Sequence, residues 1–150
     1  MQNQITVIGG SPRDKRVLTA LGTWCLYRLM LPKTAAKIDV QIILDKKLIE
    51  EYGSYGNTEI AYFEGNRPTD FIVYLDAKVD TYMRLLTLCH EMVHVWQYAT
   101  RRLVELQKGD LVSYKRERYS NSMEYRKMPW EIEAFKLEKK LYNEWIACRE

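Results

Sequence analysis

The sequence predicts an α+β domain with an N-terminal helix, a small sheet of three or four strands, a helix carrying an HExxH motif, and a C-terminal helix packed beside it. The prediction rests on apolar residues recurring at helical spacing in three stretches and on four short runs with strand character. Nothing in the 150 residues reads as a linker or an internal repeat, so residues 1–150 are expected to form one domain.

Gln4 to Ile8 has strand character, and Gly9-Gly10-Ser11-Pro12 then reads as a turn that delivers Ser11 as N-cap and Pro12 as first helical residue. Val17, Leu18, Leu21, Cys25 and Leu29 follow at helical spacing, which predicts a helix over 13–30. Ile38, Val40, Ile42 and Leu44 alternate as a strand does. Thr58 to Phe63 and Phe71 to Leu75 are two further strands, and Glu64-Gly65-Asn66-Arg67-Pro68 joins them as a hairpin, while Gly53 to Gly56 marks a bend. Asp80 or Thr81 can cap a helix whose apolar positions run from Leu85 to Leu103. Lys108 to Lys127 is polar with no clear period. Pro129 opens a last helix over 130–148 with an apolar stripe at Trp130, Ala134, Leu137, Leu141, Trp145 and Cys148.

Composition narrows the function class. With 47% apolar and 29% charged residues the chain is neither disordered nor low-complexity. A net charge of +3 is too mild to imply nucleic-acid binding alone. The charge is uneven, however: eight basic residues against four acidic ones give +4 between Arg101 and Lys127. Such a run is usually a solvated loop, with weak nucleic-acid association through Lys108–Lys127 as the sharper alternative. Cys25, Cys89 and Cys148 are widely spaced and form no CxxC pair, which predicts reduced thiols and no disulfide framework. The N-terminal stretch lacks an apolar signal region and no run is long enough to cross a bilayer, so a cytoplasmic protein without membrane association is expected.

His90-Glu91-Met92-Val93-His94 lies on the strongest predicted helix. A four-residue step is just over one helical turn, so both imidazoles point the same way and can grip one Zn²⁺ at about 2.0–2.1 Å. Glu91 is offset by about 100° from His90, which aims its carboxylate at a water on the metal, as a general base requires. On a helical wheel with His90 at zero, the apolar residues cluster at about 140° to 320°, leaving His90, His94, Thr87, Glu91 and Tyr98 on the complementary arc as a cleft floor.

These are the only two His in the chain. A third ligand must therefore be Asp, Glu, Cys or a rarer donor, and the last helix offers Glu131 and Glu133. They are about 200° apart, and only Glu131 falls within the helix's apolar arc, where a metal would compensate a buried carboxylate. Glu131 is the choice. Glu138, seven residues later on the same line, could orient a ligand His or pair with an Arg. Cys89 reads as a small core residue rather than a ligand.

LCHEMVHVWQ followed by MPWEIEAF resembles the zincin metallopeptidases, and EIEAF is similar to the E-x-x-A-D segment by which gluzincins supply their glutamate ligand one helix later. The match again puts Glu131 at the ligand position, while Phe135 replaces the family's Asp. The order of elements also resembles the SprT-like minimal proteases, although their usual third His is missing here. The resemblance implies a zincin-like minimal metalloprotease domain. It also implies a small intracellular zinc peptidase acting on a protein or peptide substrate, with Glu91 taking a proton from the attacking water and passing it to the leaving amine. It further implies substrate pairing along the strand before the metal helix, Phe71 to Leu75, unless that run is simply buried sheet. Tyr114, Tyr119 and Tyr125 are candidates to stabilise the oxyanion. Other readings are a non-catalytic binding or assembly module on the same scaffold, and a DNA-associated SprT-like protease.

Overall fold

The computed structural model describes residues 4–106 and 111–149. Strand β1 (Ile5–Ile8) leads into helix α1 (Pro12–Leu29), which begins as predicted. The Ser11 side chain accepts from the Asp14 N–H, the Asp14 carboxylate accepts from the Ser11 N–H, and Pro12 opens the helix. A short helix α2 (Pro32–Ala35) turns the chain into β2 (Asp39–Asp45), and α3 (Leu48–Tyr52) precedes the hairpin of β3 (Gly56–Glu64) and β4 (Arg67–Asp76). Helix α4 (Thr81–Ala99), capped by Asp80, carries the HExxH motif. Strands β5 (Leu103–Glu105), β6 (Leu111–Tyr114) and β7 (Glu117–Ser120), a 3-10 turn at Tyr125–Lys127 and helix α5 (Pro129–Arg149) complete the chain.

The first four strands form one mixed sheet in the order β1-β2-β4-β3, with β1, β2 and β4 parallel and β3 antiparallel at one edge. This corrects one expectation: Phe71 to Leu75 is not a free edge. β4 pairs with β2 over Asp39↔Asp70 to Asp45↔Asp76 on one side and with β3 on the other, so its backbone is fully used within the sheet. Its apolar run follows from that position. Phe71, Val73 and Leu75 point into the core and are buried, as parallel interior strands require.

Helices α1 and α4 cover one face of the sheet, and α5 packs on α4 as a further layer. Leu21, Cys25 and Leu26 of α1 meet Val40, Ile42, Phe71 and Val73 of the sheet and Leu88, Cys89 and Met92 of α4, while Leu141 and Trp145 close the core from α5. Cys25 and Cys89 are neighbours there: the hydrogen bond between their thiols, together with burial, holds Cys25 well above the ordinary thiol range. Cys89 is thus a core residue, and no disulfide is present among the described residues.

The chain after α4 departs from expectation. The helix ends at Ala99, and Leu103 belongs to β5 rather than to the helix, because the chain turns sharply at Arg101 with φ +60°. Where it is described, the polar stretch is not a solvated loop throughout: β5, β6 and β7 form a second, antiparallel sheet. Lys108 and Asp110 lie outside the described residues. That sheet was hard to read because its strands span three or four residues and its apolar side chains are few. Leu103, Val112 and Tyr114 gather around Trp130, the first large residue of α5. No helix among the described residues is long and apolar enough to cross a membrane.

Leu88 of α4 is fully buried in the main core, whereas Leu31, between α1 and α2, is 77% exposed. Leu88→Ala is therefore expected to cost about 2–5 kcal/mol in urea unfolding followed by Trp fluorescence. Leu31→Ala should stay within about 0.5 kcal/mol. Equal losses in the two variants would contradict the layer order described here.

Candidate metal centre

Helix α4 lies between the sheet and α5, so even its polar arc is covered: Thr87, His90, Glu91 and His94 are all buried. Four-residue spacing brings the two imidazoles to one side, ring centroids 4.9 Å apart, facing the first turn of α5. There Glu131 extends its carboxylate between them. Its Oε1 lies 3.0 Å from His90 Nε2, and its Oε2 lies 3.1 Å from His94 Nε2. The donor atoms of His90, His94 and Glu131 all fall within 4.8 Å of one another, a group that could hold a metal ion.

Glu133 goes elsewhere. It accepts from the Arg102 guanidinium at 2.8 Å and from the Gln97 amide at 3.0 Å, pointing toward the second sheet rather than the histidines. Two residues along α5 thus separate a carboxylate at the centre from one in a structural ion pair, as the wheel argument requires.

Gln97, which the sequence reading did not single out, settles the orientation of His94. Both amide hydrogens of Gln97 are committed, to the Trp130 carbonyl and to Glu133, each at 3.0 Å. Its Oε1 must then accept from His94 Nδ1 at 2.7 Å, which leaves Nε2 as the nitrogen facing the centre. The signal for Gln97 was present: it is three residues beyond His94 on the same helical face. On His90 the corresponding Nδ1 lies 3.7 Å from Glu138 Oε1, which places Glu138 beside His90, and no ion pair of Glu138 with an Arg is found among the described residues.

Glu91 is held apart from the three. The Thr58 hydroxyl of β3 donates to its Oε1 at 2.7 Å, and burial pushes its carboxyl above the usual range despite the nearby histidines. Gly56 makes this possible: a Cβ there would lie 2.6 Å from Thr87 Cγ2 and 2.9 Å from Glu91 Oε2. No local pattern pointed to Thr58 or Gly56, since their role exists only through long-range packing of β3 on α4.

The three tyrosines separate cleanly. Tyr125, on the 3-10 turn before α5, donates its hydroxyl to Glu131 Oε1 at 2.9 Å and lines the cleft. Tyr114 is buried against Trp130 with its hydroxyl directed at the Arg102–Glu133 pair, and its pKa is pushed up to about 12 by burial and then by Glu133. Tyr119 packs its ring near Trp130 and donates to Glu117. Neither lines the cleft at the centre, because the second sheet turns them toward its own small core. Phe135 sets its ring 4.6 Å from that of His90 and forms part of the cleft wall. The cleft encloses about 630 Å³, with Tyr55, Met83, Tyr125 and Phe135 around the polar floor.

Without metal, the shared carboxylate favours the protonated form of both imidazoles. Burial works against the charged ring of His90, but hydrogen bonds to Glu131 and Glu138 override it and raise its pKa to about 10. His94 is raised too, against burial, by Glu131. Glu131 is held far below its ordinary value: burial opposes this, and the hydrogen bonds from His90 and His94 prevail.

A divalent ion competes with protons for these nitrogens, so affinity is expected to rise with pH by about tenfold per unit for each proton displaced. Zn²⁺ titrations from roughly pH 6 to 9, in buffers of different ionisation enthalpy, would show the released protons directly. Glu131→Gln should weaken binding strongly and Glu133→Gln much less. A pH-independent affinity, or the opposite order of the two variants, would contradict this centre.

No protein-family model, curated protein or solved structure matches the chain, so the reading of this centre rests on its own geometry.

Proposed function

We propose that this protein is a zinc-dependent peptidase of the zincin type, hydrolysing peptide bonds in a protein or peptide substrate. One observation carries the reading. A buried carboxylate, Glu91, stands beside a two-histidine, one-glutamate donor set, anchored by Thr58 and kept out of the ligand group. A metal ligand and a general base need different positions on one helix, and the HExxH spacing supplies both.

The donor set fits zinc. Two imidazole nitrogens and one carboxylate are a set that catalytic zinc uses, and the Gln97 contact fixes the coordinating nitrogen of His94. When bound, zinc supplies Lewis acidity, polarising the carbonyl under attack and lowering the pKa of water. The chain's own groups perform the remaining work. Glu91, whose carboxyl is raised by burial, accepts the proton of the attacking water and returns it to the leaving amine. The Tyr125 hydroxyl, which lines the cleft and donates to Glu131 here, would turn from that bond to donate to the developing oxyanion. The free sheet edge at the cleft is that of β3, where Gly56 to Thr58 line the floor, and an extended substrate segment can add there.

Glu91→Gln is expected to retain one equivalent of zinc and the wild-type fold while losing hydrolysis of a casein substrate by at least about 100-fold. Loss of zinc with activity would make Glu91 a ligand instead. No hydrolysis by the zinc-loaded wild type, on casein and a peptide library alike, favours a binding module on this scaffold. Gly56→Ala should lower activity with little loss of metal, since the atoms nearest the added methyl belong to Thr87 and Glu91. An unchanged rate there would show that the position of Glu91 does not matter.

A further inference from the structure

Among the described residues, three carboxylates line the cleft of the metal centre, Glu91, Glu131 and Glu138, and no lysine or arginine does, although the chain holds 23 of these cations. Two of the three carboxylates are engaged. Glu131 lies between the imidazoles, and Glu91 accepts from the Thr58 hydroxyl. Glu138 is only half used. Its Oε1 stands 3.7 Å from His90 Nδ1, and its Oε2 makes no hydrogen bond or ion pair among the described residues, although the side chain is only 14% exposed. Glu138 meets the opposite nitrogen of the His90 ring from the one that meets Glu131, so an imidazole separates it from the donor group.

The walls near Glu138 are aromatic. Phe135, on the preceding turn of α5, sets its ring 4.6 Å from that of His90 and 6.3 Å from that of Tyr125. Phe135, Tyr125 and Tyr55 line the same cleft and are each about half exposed, so their rings keep surface free for a ligand. Met83, two turns before His90 on α4, adds an unbranched thioether that adapts to what it packs against.

We propose that Glu138, Phe135 and Tyr125 form a subsite for an arginine or lysine side chain of the substrate, beside the bond to be cleaved. Aromatic rings attract a cation through their quadrupole, and a carboxylate screened from water pairs with one. An apolar side chain would fill the same walls but would strip water from the Glu138 carboxylate and give it no partner. An acidic side chain would meet like charge with no cation in the cleft to offset it. Length selects as well: to reach past His90 to Glu138 while the backbone lies at the donor group takes a long side chain. That the ligand is a substrate rests on the peptidase reading; the selectivity of binding does not.

Isothermal titration of zinc-loaded Glu91→Gln protein with short peptides of Gly, Ser and Ala around one central residue tests this. The peptides are acetylated and amidated, so the central side chain carries the only charge: arginine, its neutral isostere citrulline, or norleucine. The arginine peptide should bind about tenfold or more tightly than the other two. Adding Glu138→Gln should bring the arginine peptide to the citrulline level, leaving citrulline affinity and the single equivalent of zinc unchanged. Phe135→Ala should weaken the arginine peptide by about threefold or more. Glu59→Gln, an exposed carboxylate on β3 outside the cleft, should change none of these. Equal affinity for arginine and citrulline, norleucine binding as tight as arginine, equal weakening of all three peptides by Glu138→Gln, or no binding of any peptide would each overturn the subsite. Hydrolysis by the wild type separates the two readings. Cleavage without preference for arginine removes the subsite and keeps the peptidase, whereas arginine-selective binding that is lost in Glu138→Gln, with no cleavage, removes the peptidase and keeps the subsite.

Discussion

Everything in this molecule is arranged around one carboxylate shared by two imidazoles inside a helical layer. Glu131 sits between His90 and His94, with its side chain only 12% exposed. A carboxylate in that position without partners would be costly, and two histidines alone would be driven neutral by burial. Together they favour each other's charged forms, and the same three donors lie close enough together that they could hold a metal ion in place of protons. The stripe that fills the core with Leu88, Cys89 and Met92 also fixes the angular position of the histidines, so packing and chemistry are carried by one element.

The second sheet gains a role from this arrangement. His94 is oriented by Gln97, Gln97 is held by Glu133 and the Trp130 carbonyl, and Glu133 is paired with Arg102 at the start of β5. Trp130 in turn packs among Leu103, Val112 and Tyr114. A continuous set of hydrogen bonds therefore runs from a ligand nitrogen to the base of the small sheet, and that sheet braces the first turn of α5 from which Glu131 projects. The opposite flank is braced by Thr58 on Glu91, where Gly56 lets β3 approach α4 closely.

Local sequence was informative where the physics is local. Ser11 with Asp14, the 3.6-residue stripe of α4 and the two-residue offset between Glu131 and Glu133 are intrahelical facts, so the caps, the helix and the grouping of His90, His94 and Glu131 could be read directly. Failures occurred where nonlocal pairing decides. Whether Phe71 to Leu75 is an edge depends on β2, some thirty residues earlier, choosing one side of it and β3 the other. The short strands β5 to β7 leave too few alternations to register. Among the tyrosines, spacing alone could not tell Tyr125 from Tyr114 and Tyr119, because it is the Trp130 cluster that draws the latter two away.

The central claim is that His90, His94 and Glu131 together hold one metal ion. Zinc K-edge X-ray absorption on protein loaded with a single equivalent of Zn²⁺ tests it most directly. The account predicts two imidazole nitrogens and at least one carboxylate oxygen at about 2.0–2.2 Å, with no sulfur shell. A sulfur scatterer at about 2.3 Å, fewer than two imidazoles, or a first shell of water oxygens alone would contradict it.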